Sequence, residues 1–193
     1  MAFTACTGGD DFSEKKGQAQ EPAQQAASVS YSKEPGMIGV FDVPEMLVLS
    51  KMDSAAAKDM AFQLAKDYSV LQEDMIAIGA EMVGSPGVVN YNNDARNLKF
   101  ECILVIRSMP EKQPMQSTIV ALEATKMLVY NYYGPYQDLG NAYAEIRQLF
   151  TEHKLQQTGP MREFYITDPT LEKDPAKWLT RVMVPVDEVK ETK

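Results

Sequence analysis

One glutamate and a set of tyrosines carry most of the chemistry this sequence offers. In the segment from Met161 to Thr167, strand alternation puts Met161, Glu163, Tyr165 and Thr167 on one face and Arg162, Phe164 and Ile166 on the other. If Tyr165 lines a cleft, Glu163 lines it too. A buried carboxylate is costly alone, so a cation or a hydrogen-bond donor must stand near it. The plainer alternative is a surface glutamate, or one paired with Arg162 or Arg181. Tyr130 and Tyr132 share one face of an earlier strand, Tyr133 lies on the other, and Tyr136 sits at the mouth of the helix that follows. Aromatic walls around a carboxylate suit a flat cation through stacking and cation–π attraction. Trp178 stands in Asp174-Pro175-Ala176-Lys177-Trp178, a loop that either covers such a cleft or packs on the edge of the unit. Tyr143 continues an apolar helix face and reads as packing.

Other chemistries lack their parts. The chain has one histidine, His153, near a predicted helix end, and two cysteines, Cys6 and Cys102. Histidine metal sites and Ser-His or Cys-His catalysis therefore have no usual constellation, and no metal or cofactor is expected. Cys102, in Phe100-Glu101-Cys102-Ile103-Leu104, reads as a buried strand thiol. The net charge of −8, with Lys and Arg scattered, argues against a nucleic-acid partner. No apolar run reaches the roughly 18 residues that a spanning helix needs. A 45% hydrophobic fraction over 193 residues allows one sizeable core or two small ones, and a monomer is expected.

The elements that must position these groups read as one unit used twice. Pro86, Tyr91 and Asp94 recur at the same spacing as Pro160, Tyr165 and Asp168. Met46-Leu47-Val48 recurs as Met127-Leu128-Val129, and both copies close on apolar runs, Cys102 to Ile106 and Val182 to Val186. Such a repeat implies halves that cover each other, with a cleft at the seam. On this alignment Tyr91 faces Tyr165 across a pseudo-two-fold axis. Val89 then takes the place of Glu163, so folding of the unit does not need the acid.

In the first copy, about 36–112, Glu45 to Met52 reads as a strand and Asp53 or Ser54 as a helix cap. Ala57, Met60, Ala61, Leu64 and Ala65 form one apolar stripe, whose simplest meaning is core packing. Val70 to Met82 either extends that helix or makes another. Strands follow at Val88 to Asn92 and Leu98 to Arg107. In the second copy, about 117–189, Ile119 to Tyr133 is strand, and Gly134-Pro135 turns into a helix capped by Asp138. Leu139, Tyr143, Ile146 and Phe150 give its buried face. Met161 to Thr167 and Leu179 to Val186 are strands. The expected class is α+β: a tandem strand-helix-strand-strand duplication, mostly antiparallel, with helices on one face and a cleft between repeats.

Residues 7 to 35 are rich in Gln, Ala, Gly, Ser, Glu and Lys and offer little to bury, so residues 1–35 are expected to be a disordered tether. Phe3-Thr4-Ala5-Cys6 before it resembles a bacterial lipobox, although the hydrophobic region that precedes such a motif is absent from this chain. Cys6 is accordingly expected to be a lipid anchor, and the location the cell envelope; without the lipobox it is cytoplasmic.

The second half closely resembles the gyrase-inhibitor-like (GyrI-like) effector-binding family. The resemblance rests on Tyr133-Gly134-Pro135-Tyr136, Gly140 and Tyr143, Gly159-Pro160, Arg162-Glu163-Phe164-Tyr165, Asp168-Pro169 and Val184-Pro185-Val186. It implies a small-molecule-binding domain over 36–193, with aromatic or cationic ligands held between repeats and Glu163 as counter-charge. The ligand-binding set expected is Glu163, Tyr165, Tyr91, Tyr130, Tyr132, Tyr136 and Trp178. The chain departs from the family's regulators: residues 1 to 35 cannot build a helix-turn-helix, and direct transcription control is not expected. Arg181 stands where many relatives carry an acid, which argues against a strongly anionic pocket. Two further readings stay open: a hydrolase of strained electrophiles with Glu163 as general base, and a protein-interaction module. Haem binding is a minor further one, because His153 is the lone imidazole.

Overall fold

The computed structural model describes residues 38–189, so Cys6 and the expected tether over residues 1–35 lie outside the described residues. Nine strands form one sheet: β1 (Ile38–Val43), β2 (Met46–Ala55), β3 (Gly87–Asn90), β4 (Leu98–Val105), β5 (Thr118–Leu122), β6 (Thr125–Tyr133), β7 (Leu155–Gln157), β8 (Met161–Tyr165) and β9 (Leu179–Glu188). Two helices accompany them, α1 (Met60–Ile78) and α2 (Leu139–Glu152). The strand order is β1-β6-β9-β8-β3-β4-β2-β5, with β7 added on β9, and every ladder is antiparallel. The fold is α+β. The succession strand-helix-strand-strand occurs as β2-α1-β3-β4 and, with the short β7 inserted after the helix, as β6-α2-β8-β9, and the two sets abut at β3 and β8.

The strands that sequence patterning did not resolve, β1 and β5, close this architecture. Only Pro44 and Glu45 separate β1 from β2, yet β1 pairs with β6 while β2 pairs with β4 and β5. The register runs on across the gap: Val43 opposite Thr125 is followed by Met46 opposite Leu122. Segments β1–β2 and β5–β6 are thus long bent strands lying along each other. Pro44, without an amide hydrogen for the ladder, sits at the bend. Strands at opposite ends of the order are covalently joined by these short links, so the sheet has to curl until its ends meet. Inside the curl, Val48, Val89, Ile103, Met127, Val129, Phe164 and Met183 pack as one core.

Both helices cover the outer face. Leu71 and Ile78 of α1 pack on Leu49, Val88, Phe100 and Cys102, while Leu139, Ala142 and Ile146 of α2 pack on Leu128, Tyr130, Val182 and Val184. Burying a leucine such as Leu71 contributes on the order of 2 kcal/mol. Helix α1 runs unbroken to Ile78, where Gly79 at φ 70 takes the left-handed C-cap and donates to the Ile76 carbonyl. Its start corrects the expected cap. Asp53 and Ser54 are still strand, paired with Phe100 and Lys99, and the helix begins only after a tight turn at Ala57–Asp59. Ladder pairing on β4 outcompetes a cap for those residues. In α2 Asp138 does stand at the N-cap position, although its side chain makes no capping hydrogen bond.

Candidate functional site

A cleft of about 1210 Å³ opens on the outer face between α1 and α2, floored by the β3–β8 seam. The helix stripes read from sequence as core packing do pack on the core, through Leu139 and Ile146 on one helix and Met60 and Leu64 on the other, but the same stripes also line this cleft. Ala57, Met60, Ala61 and Leu64 line one wall, and Leu139, Tyr143, Ile146 and Phe150 the other. Ala65, the last member of the first stripe, is exposed. The correction has a simple cause. An apolar stripe reports removal from polar surroundings, and a cleft wall satisfies that as well as a core does.

Glu163 lies on the floor, 4% exposed. Its Oε1 accepts from the Asn90 amide at 2.7 Å and from the Tyr143 hydroxyl at 2.7 Å, and its Oε2 from the Tyr165 hydroxyl at 3.4 Å. All three donors are uncharged, and among the described residues Glu163 has no ion pair. Burial pushes its carboxyl above the ordinary glutamate range, and the hydrogen bonds from Tyr143, Tyr165 and Asn90 only partly offset this. Burial, then the nearby Glu163 charge, likewise raises the phenols of Tyr143 and Tyr165, so both remain protonated donors. The seam beneath is tight. A side chain at Gly87 would put a Cβ 2.6 Å from the Glu163 carbonyl, and the Tyr68 hydroxyl of α1 donates to the Gly87 carbonyl at 2.6 Å.

Of the residues expected at a site, Glu163, Tyr165, Tyr136 and Tyr91 border the cleft. Tyr136 meets Tyr165 edge-on, centroids 5.4 Å apart, and is backed by Trp178 at 5.0 Å. Trp178 itself does not line the cleft; its indole donates to the Glu172 carbonyl, so it buttresses Tyr136 from behind. Tyr130 and Tyr132 also stand outside the lining. Tyr130 packs against α2 with its hydroxyl held by Glu145 at 2.8 Å, and Tyr132 packs in the same cluster. His153 is exposed at the end of α2, and Cys102 is buried and free, its thiol pushed up to about 12 first by burial and then by nearby Asp67. Among the described residues no group of His, Cys, Asp and Glu could hold a metal, and no helix is long and apolar enough to cross a membrane.

The repeat alignment slips by one residue at the seam. Val88, not Val89, lies directly opposite Glu163, while Val89 lies opposite Arg162 on the inner face. The burial pattern of Gly87–Asn90 matches that of residues 162–165, which makes Val88 the counterpart of Glu163 and Asn90 that of Tyr165. A one-residue slip reverses every side chain. Tyr91, 45% exposed, accordingly turns its hydroxyl to Glu101 at 2.6 Å rather than toward Tyr165. Arg162 and Arg181 both belong to the inner face and neither pairs with Glu163; Arg181 donates to Asn131. The objection that Arg181 raised against an anionic cleft therefore falls.

Sequence reasoning missed Tyr143 and Asn90 as partners of Glu163. The usable signal for Tyr143 was a hydroxyl on an otherwise apolar helix face, since a buried phenol needs an acceptor. For Asn90 nothing local pointed to the cleft, because its role depends on the β3–β8 register.

A curled antiparallel sheet with a walled cleft over a buried carboxylate defines a small-molecule-binding module. The chain belongs to the GyrI-like family: the model of the GyrI-like small molecule binding domain matches residues 62–187. Among solved structures, it is similar to the EcmrR C-terminal domain, at 22% identity and TM-score 0.72, covering 80% of this chain and 99% of that one. It is also similar to a hydrolase from Listeria innocua, at 18% identity and TM-score 0.56, over 80% of this chain and 94% of that one. A third neighbour, SAV2435 bound to tetraphenylphosphonium, has 10% identity and TM-score 0.50, over 78% of this chain and 94% of that one. No curated protein matches the sequence.

Proposed function

We propose that this protein is a non-enzymatic receptor for small aromatic cations, which it holds between α1 and α2 with Glu163 as the counter-charge. The observation that carries the reading is a carboxylate buried on a cleft floor whose partners are all neutral. Such a group bears a desolvation cost that an entering cation relieves, so burial that is unfavourable in the empty protein becomes affinity in the complex. Tyr165 and Tyr136 supply aromatic surface beside it. The tetraphenylphosphonium carried by one structural neighbour is a cation of this kind.

A hydrolase reading is favoured by the raised pKa of Glu163, which suits a general base, and by the neighbour described as a hydrolase. The two short hydrogen bonds, from Asn90 and Tyr143, both fall on Oε1, and Oε2 accepts only the longer one from Tyr165, so Oε2 is the oxygen that either a cation or a water would meet. The deciding experiment is calorimetric titration of wild type and Glu163→Gln with tetraphenylphosphonium, followed by product analysis with a strained electrophile such as an aromatic epoxide. Binding by wild type that Glu163→Gln weakens at least tenfold, with no turnover, supports the receptor. Turnover that the variant abolishes while still binding the epoxide supports the hydrolase. The buried Glu163 carboxyl also sets a pH signature that holds under either reading. Because the Glu163 carboxyl is raised, the folded protein holds a proton that the unfolded chain has released, and stability falls as pH rises from about 4.5 toward the folded value. Glu163→Gln removes that slope and raises Tm at neutral pH.

A further inference from the structure

Among the described residues the cleft lining carries two charged side chains, Glu163 at the floor and Arg147 on α2. Tyr143 and Arg147 are four residues apart and so lie on one helix face, roughly 6 Å apart along the axis. The Tyr143 hydroxyl is anchored on Glu163 at 2.7 Å, which places Arg147 one helical turn further along the same wall. Arg147 is exposed, and among the described residues its guanidinium makes neither an ion pair nor a hydrogen bond. Around it the wall is apolar or neutral: Ile146 and Phe150 beside it, Gln157 and Gly159 beyond, and Ala61 and Leu64 on the facing helix.

From this arrangement, and resting on the reading of the cleft as a cation receptor, we propose that the preferred ligand is zwitterionic. It is an aromatic cation that carries a carboxylate or similar anionic group on a short arm. The cationic ring sits over Glu163 beside the Tyr165–Tyr136 pair, and the anionic group reaches Arg147. Arginine suits this position because its planar fork binds a carboxylate by two parallel hydrogen bonds without needing a fixed cage. The α1 wall presents alanines, methionine and leucine, so no charge there competes for either end of the ligand. A volume of about 1210 Å³ leaves room for a ring system and an arm together.

The test is a matched pair of probes, 1-propylquinolinium and 1-(3-carboxypropyl)quinolinium, titrated calorimetrically at low salt into the full chain. Wild type is expected to bind the carboxylated probe about 5-fold more tightly, the scale of one good exposed charge pair. Arg147→Gln should bring that ratio to parity, and Arg147→Lys should restore part of it. Glu163→Gln should weaken both probes and leave the ratio in place. A wild-type ratio at or below one overturns the proposal. So does a ratio that Arg147→Gln leaves unchanged, or a several-fold gain of Arg147→Gln for the plain cation, which would mean that Arg147 folds onto Glu163 instead. If wild type binds neither probe, the receptor reading itself fails and takes this inference with it.

Discussion

The two halves of the sheet are built from the same succession of elements, and at their seam Val88 of one lies directly opposite Glu163 of the other. The halves differ in what surrounds that pair. Helix α2 brings Tyr143 and Arg147 to the cleft, whereas α1 and the turn before it bring Met60, Ala61 and Leu64 with Ala57. On the proposed reading the second half therefore supplies the charged contacts of recognition, and the first supplies an apolar wall with the neutral polar groups Asn90, Tyr91, Asn92 and Asn93. The contrast extends to buried acids. Asp74 of α1 accepts from the amides of Met115, Gln116 and Ser117 and from the Ser117 hydroxyl, tying down the crossover between the halves. Burial pushes the Asp74 carboxyl up, but these hydrogen bonds outweigh it and hold the group below the ordinary range, the opposite of Glu163. A carboxylate saturated by donors that the chain itself supplies is structural. One that is left with neutral donors beside open space is available to a ligand.

Making the two halves alike is the most drastic way to break this comparison. Val88→Glu puts a second acid on the cleft floor directly across from Glu163, with no cation near either. The expected loss is about 4 kcal/mol or more, read as a missing or strongly shifted urea transition. Restoring a single acid with Val88→Glu/Glu163→Val should recover most of the stability, since one buried carboxylate again sits at the seam. A double variant as unstable as the single one would mean that the halves are not interchangeable at that pair.

A smaller effect separates the two kinds of acid. Asp74→Ala should cost about 3 kcal/mol by chemical denaturation, because buried amides of the crossover lose their acceptor. Its depressed pKa gives stability that is present above about pH 4 and lost as pH falls through the folded value, so the variant should also be less sensitive to acid. If Asp74→Ala left the acid-side profile unchanged, the tie would not be electrostatic.

The smallest change sharpens the role of α2. Tyr143→Phe removes one donor from Glu163 with almost no change of volume. It should alter stability by about 1 kcal/mol or less but raise the Glu163 pKa further. Affinity for a cation then falls, and the pH above which binding is complete moves upward. Equal losses across the whole pH range would assign Tyr143 to packing alone.

Much of the second half was legible from residue pattern. Alternation through Met161 to Thr167 put Glu163 and Tyr165 on one face, and both border the cleft. The Leu139-Tyr143-Ile146-Phe150 stripe gave the correct helix face and its packing, but not the cleft that the same face borders, because apolarity does not say whether a wall also meets a cavity. Tyr130, Tyr132 and Trp178 were indistinguishable from cleft tyrosines by type and spacing. What separates them is the partner of each polar atom, Glu145 for Tyr130 and the Glu172 carbonyl for Trp178, and partners are tertiary facts.

By itself, the sequence determined both helices with their apolar faces, the strands β2, β3, β4, β6, β8 and β9, and the one acid worth watching, since these depend on local periodicity and composition. The tertiary structure decided the curl, through β1 and β5 crossing to the other half, and the seam register that sets Val88 rather than Val89 against Glu163. The reason is that register is fixed by long-range ladders. A slip of one residue is invisible to composition, yet it turns Tyr91 away from Tyr165 and brings Asn90, Tyr143 and Tyr165 together on a single carboxylate.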